Sequence, residues 1–233
     1  MFEQITKISS SNMHKICYNL GEMRDSLALD HITNLTNMFV PFFRNLKNSF
    51  LMMLTKSSNI DNLLTLEPNN NVVVSWSLNP QKIIDDYELA AASLDERINS
   101  AKKCQQHGYR IRFRIDPGIL CENWKNEYRS LIEKIFSNTE PESITMGMLR
   151  MFKGHISLSK NAYKINPDLF IGLTDIANDG KLRYKLENQL EFYKYLIDVI
   201  RSCNKKVSIA ICRENHEIYE RLNFKNQICN CIG

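Results

Sequence analysis

The stretch 71-NVVVSWSLNPQKII-84 begins as an unbroken apolar run, changes into Ser75-Trp76-Ser77 and stops at Asn79-Pro80. A parallel strand covered on both faces reads as a continuous Val/Ile/Leu run, and Val72, Val73 and Val74 match that description. Proline then favours a helix start directly behind the strand. The hydroxyls and the indole at the strand's end are the anomaly. In parallel α/β folds the carboxyl ends of the strands form the ligand-facing edge, so polar side chains there serve binding instead of packing.

Outward from this strand, the chain alternates. Apolar strand-like runs occur at 16–20, 50–54, 109–115, 144–149 and 207–211. Helix-length segments separate them. Segment 93–108 carries a capping box, Ser93 with Glu96 three residues on, and Gly108 just past its end. Segments 122–138 and 187–203 each place apolar residues on one helical face, among them Trp124, Tyr128, Leu131, Ile132 and Ile135 in the first. The segment 31–46 has helical spacing, and Pro41 is expected to kink or split it. Strand, helix, strand in repetition predicts parallel α/β architecture, which a barrel and an open doubly wound sheet both satisfy. The exception is 150–185, expected to be a long functional loop without regular structure, with seven Lys/Arg against three Asp.

Length and composition bound the rest. The 233 residues, 43% hydrophobic and 24% charged, describe an ordinary globular chain, read as a single domain over 1–233. Without a membrane-length apolar run or a signal-peptide core in MFEQITKISSSN, the expected location is cytoplasmic, with no membrane partner. Seven scattered cysteines fit reduced thiols better than a disulfide framework. The net charge of +4 permits an acidic partner without requiring one.

If the strands are parallel, their carboxyl ends bring one polar set to a common mouth: Gly21, Glu22, Arg24 and Asp25, then Thr55 and Lys56, Ser75 and Ser77, Asp116, and Arg150. Such a set suits a zwitterionic or phosphate-bearing ligand through charge-assisted hydrogen bonds. The competing reading is that Lys56, Glu22 and Asp116 pair with one another as a solvated rim. Other chemistries fit worse. Eight glycines include no GxGxxG or GxxxxGK, five histidines form no HxxxH, and Cys229-Asn230-Cys231 is half of a zinc motif at most.

Taken in order, NLGEMRD, MLTKSSNIDNLL, VVVSWSLNPQKII, SLDERINSAKKCQQHGYRIRFRIDP and MGMLR resemble the spore photoproduct lyase family of radical S-adenosylmethionine (SAM) enzymes, from about Ile16 onward. The resemblance implies a partial parallel (β/α) barrel of radical SAM type with SAM in its mouth. Lys56 and Ser77 match the positions that hold the SAM carboxylate, and Glu22 stands where many radical SAM proteins receive its amino group. Two departures accompany it. The family's 4Fe–4S cluster needs CxxxCxxC, which this sequence lacks, so the first barrel strand and cluster loop are expected to be missing and no metal ligand is assigned. Glu22 also occupies the position of the family's hydrogen-donating cysteine, with Cys17 five residues earlier.

The resemblance thus implies a truncated or split lyase-like protein. Its intact form would carry out SAM-dependent radical chemistry, DNA photoproduct repair included, with an N-terminal cluster-bearing polypeptide and DNA as partners. Two alternatives stay open: a noncatalytic binding or interaction protein derived from the barrel, and an unrelated α/β enzyme using Glu22, Lys56 and Asp116 as acid and base groups.

Overall fold

The strand RIRFRID shows how the sheet is built. In a strand, successive side chains point to opposite faces, so Ile111, Phe113 and Ile115 share one face, while Arg110, Arg112 and Arg114 share the other. The first three are at most 1% exposed and enter the main core. On this strand one face therefore packs into the main core and the other is polar, while the same polar-side face carries a small apolar cluster of Phe50, Met52 and Val73 on the neighbouring strands.

The computed structural model describes residues 1–22, 24–162, 165–177 and 179–224. After α1 (Phe2–Ser11), the chain runs β1 (Ile16–Asn19), α2 (Asp30–Thr33), α3 (Leu35–Arg44), β2 (Ser49–Thr55), α4 (Asp61–Thr65) and β3 (Val72–Ser77). It continues through α5 (Gln81–Tyr87), α6 (Leu94–His107), β4 (Arg110–Gly118), α7 (Trp124–Asn138) and β5 (Ser143–Met148). An insertion follows, made of α8 (Lys153–Ala162), a 3-10 turn at Pro167–Phe170, and the antiparallel pair β6 (Leu173–Ile176) and β7 (Leu182–Tyr184). Then come α9 (Leu186–Cys203), β8 (Ser208–Ile211) and α10 (His216–Arg221).

Six strands pair in parallel in the order β1-β2-β3-β4-β5-β8. The registers align Trp76 with Phe113 and Phe113 with Ile144 on the helix-covered face, and Ser77 with Arg114 and Arg114 with Thr145 on the other. Trp76 is fully buried and its indole N–H donates to Ser57 O at 3.1 Å. The indole of VVVSWS is thus a packing residue with a satisfied polar end, and the two hydroxyls point the other way. Adjacent strands lie about 4.8 Å apart, so the outer strands of a flat six-stranded sheet would be separated by about 24 Å. Yet Glu22, just past β1, forms an ion pair with Arg213, just past β8. The sheet is curled into a half-barrel whose two edges meet at the mouth.

Local signals account for most elements. Helix α6 has the full capping box at Ser93 and Glu96, and Gly108 ends it at φ 111°. The 31–46 segment does split, but at Asn34 (φ 51°), and Pro41 stays within α3. The cause is Asp30, whose carboxylate accepts the Thr36 N–H at 3.0 Å and its hydroxyl at 2.5 Å and so starts a new helix. The 150–185 segment is not the irregular loop its sequence predicts. None of the residues of α8 is buried, so no apolar stripe marks it as a helix, and β6 and β7 are too short to show alternation. The N-terminal segment forms α1, with Phe2 stacked on Phe42 at 4.2 Å and Ser9 bonded to Ser49 at 2.7 Å. Among the described residues β1 pairs with β2 alone, and no helix is long and apolar enough to cross a membrane.

Candidate functional site

A cleft of about 320 Å³ opens at the carboxyl ends of β1 to β4, lined by Gly21, Glu22, Arg24, Asp25, Leu54, Thr55, Lys56, Ser77 and Asp116. The loop after β1 is held against the end of β2. A Cβ on Gly21 would lie 2.4 Å from Leu54 O, so only glycine allows this approach. Asp25 then ties the two strand ends together: its carboxylate accepts Leu27 N at 2.9 Å, Ala28 N at 2.8 Å, Thr55 Oγ1 at 2.7 Å and Lys56 N at 2.6 Å. Asp25 is thereby a framework residue.

The structure brings Glu22, Lys56 and Ser77 to this one cleft. The solvated-rim reading does not hold, because Lys56 pairs with neither Glu22 nor Asp116, and each of the three is held by a residue outside that set. Lys56 Nζ pairs with Glu88 at 2.7 Å, and Glu88 pairs with Arg97 at 2.7 Å. Glu22 meets Arg213, and Arg114 at 3.5 Å. Asp116 accepts Arg114 at 2.9 Å and faces Arg150 at 3.4 Å. Ser77 Oγ donates to Asp116 O at 3.3 Å, while the buried Ser75 hydroxyl one step deeper on the same face has no hydrogen-bond partner. Arg150 lines a second cleft of about 260 Å³ with Asp116, Lys181 and Arg213, beside the first.

Two buried glutamates flank the site with opposite electrostatics. Burial would raise Glu88, but Lys56 and Arg97 outweigh it and hold the carboxyl below its usual range. Glu214 accepts Tyr193 Oη at 2.6 Å and Met148 N at 3.1 Å, and there burial dominates and pushes the carboxyl up. A carboxyl raised in the folded state contributes stability below its unfolded value of 4.5, and that contribution is lost as the pH rises through the folded value. Glu214→Gln keeps an accepting oxygen for both partners. It is expected to match the parent protein at pH 4 and to gain on it by pH 8, read from urea midpoints. A variant that loses ground between those pH values would contradict this assignment.

Sequence reasoning missed Arg97, Glu88, Arg114 and Arg213. The alternation in RIRFRID could have placed Arg114 on the concave face; nothing local marks the other three. Among the described residues Cys17, Cys104, Cys121, Cys203 and Cys212 form no disulfide, and burial raises Cys17 to about 11. Cys229-Asn230-Cys231 lies outside the described residues. Among the described residues no three His, Cys, Asp or Glu side chains are grouped to hold a metal ion.

A curled parallel half-barrel with a polar cleft at its strand ends is the radical SAM type of fold. The chain belongs to the spore photoproduct lyase family, whose model, described as "Spore photoproduct lyase", matches residues 7–165. It is 24% identical over 193 residues to the spore photoproduct lyase of Clostridium acetobutylicum, covering 79% of this chain and 57% of that protein. It is 30% identical over 111 residues to that of Bacillus subtilis, covering 48% of this chain and 32% of that one. A solved spore photoproduct lyase mutant with bound AdoMet and dinucleoside spore photoproduct shares the fold at TM-score 0.78 and 20% identity, covering 90% of this chain and 64% of that one. The chain spans less than two thirds of the length of these relatives.

Proposed function

We propose that this protein is the SAM-binding half-barrel of a spore photoproduct lyase-like radical SAM protein. The observation that carries the reading is the convergence of Glu22, Lys56 and Ser77 on one cleft of about 320 Å³ at the strand ends, within the usual range for small-molecule sites. The donor set fits an amino acid end group: Lys56 and Ser77 would take the carboxylate of SAM, and Glu22 would exchange Arg213 for its amino group. SAM, used together with an iron–sulfur cluster, supplies a 5′-deoxyadenosyl radical, and the chain's part is to hold and orient it.

The described residues do not fit the cluster itself, which takes cysteine thiolates; the sequence contains no CxxxCxxC. On this reading the thiolates come from a cluster-bearing polypeptide outside this sequence, and the assembled protein acts on DNA photoproducts. The basic 150–185 segment supports DNA contact, since Lys153 and Lys160 project from a helix with no buried residue. Such contact would weaken steeply with salt.

Equilibrium dialysis of the chain with radiolabelled SAM tests the cofactor assignment. SAM is expected to bind, and Lys56→Ala to weaken it by about tenfold or more, the worth of a lost charge-assisted hydrogen bond. Absence of binding by the parent chain, or equal binding by Lys56→Ala, would refute it.

A further inference from the structure

We infer that Glu88 and Arg97, neither of which lines the cleft, are positioning residues that hold Lys56 and Ser77 in one fixed arrangement for a ligand carboxylate. The carboxylate part of this inference rests on the reading of Lys56 and Ser77 above.

Arg97 is fully buried in α6. Its guanidinium makes two hydrogen bonds, Nη1 to Ser77 O at 2.9 Å and Nε to Ala92 O at 2.7 Å, and Nη2 lies in ion-pair contact with Glu88 Oε2 at 2.7 Å. One planar group thus grips the backbone of Ser77 and the carboxylate of Glu88 together. The other oxygen of Glu88 accepts Lys56 Nζ at 2.7 Å and Asn79 Nδ2 at 3.0 Å. Asn79 is in turn held by Tyr128 Oη at 3.1 Å, and Tyr128 is fully buried. The relay therefore runs beneath the cleft from rigid core to both proposed ligand-binding residues.

Two features make this more than a structural tie between α5 and α6. A lysine has a flexible four-carbon stem, and its ammonium carries three donors. Glu88 fixes the ammonium and leaves donors free toward the cleft, where the Lys56 side chain is 35% exposed. The charges also do not balance. Two cations, Lys56 and Arg97, share one anion, Glu88, whose carboxyl is held below its ordinary range. The surplus positive charge emerges at the one exposed member, and an arriving carboxylate would complete the set.

The test uses the full chain with Glu88→Gln/Arg97→Met, which removes both charges together and so avoids stranding either one in the core, and Glu88→Asp, which keeps the charge but shortens its reach. Two readouts are taken. The first is the affinity for SAM relative to 5′-methylthioadenosine, which has the same nucleoside and no carboxylate. The second is the rate at which Lys56 is acetylated by an N-hydroxysuccinimide ester in ligand-free protein, followed by mass spectrometry. Both variants are expected to lose about tenfold in affinity for SAM with little change for 5′-methylthioadenosine. Lys56 acetylation should rise severalfold. Variants with the parent's SAM preference and acetylation rate would overturn the inference. If the parent chain shows no preference for SAM, the ligand reading falls alone. The acetylation rate then judges the positioning, and an unchanged rate overturns it.

Discussion

Arg97→Met is expected to lower the free energy of unfolding by about 3–5 kcal/mol, because it leaves the Glu88 carboxylate in the interior with only Lys56 to compensate it. The side chain of Glu88 is 8% exposed and that of Arg97 is fully buried, so water cannot take over the lost contacts. The carbonyls of Ser77 and Ala92 lose their arginine donors at the same time. A chain of this size shifts its midpoint by roughly 2–4 °C per kcal/mol, so the melting temperature should fall by roughly 10 °C. Urea unfolding with an unchanged slope is the measurement that isolates the stability change. The Glu88→Gln/Arg97→Met chain should recover much of the loss, since removing a buried pair whole costs far less than breaking it. A single variant within 1 kcal/mol of the parent would show that the pair carries little buried charge.

Gly21→Ala is the second large effect. The added Cβ would sit 2.4 Å from Leu54 O and 2.5 Å from Leu54 Cβ, neither of which is the free end of a flexible side chain. Either β2 or the loop after β1 must move, at a cost of about 1–3 kcal/mol. The loop carries Glu22 and Asp25, so the shift would displace Glu22 and strain the two hydrogen bonds of Asp25 that join the loop to Thr55 and Lys56. Loss of SAM binding should accompany the loss of stability. Gly154→Ala in α8 is the control. Its Cβ would meet nothing within 4 Å, and it should be neutral or gain up to about 1 kcal/mol. Equal effects at the two glycines, by urea unfolding, would remove the close approach as the explanation.

The elements that were legible in sequence share a property: their signals are local. The Val72–Val74 run, the Ser93/Glu96 box with Gly108, and the apolar stripes of α7 and α9 each specify one element within a few turns of chain. Where the local signal was thin, the reading went astray. Helix α8 buries nothing and so has no stripe, and the break at Asn34 follows from the Asp30–Thr36 side-chain bond and not from Pro41.

Glu22, Lys56 and Ser77 could be placed at the mouth from the sequence because parallel strands must deliver their carboxyl ends to one edge, whatever the curvature of the sheet, and the family resemblance singled them out among the residues there. Their partners could not. Lys56 meets Glu88, itself paired with Arg97, because α6 packs back against β3, and Glu22 meets Arg213 because the sheet curls until its first and last strands face each other. Periodicity and capping are properties of neighbouring residues. The pairing of charges depends on burial and on distances between elements far apart in the chain, and these exist only once the sheet has curled and its helices have packed.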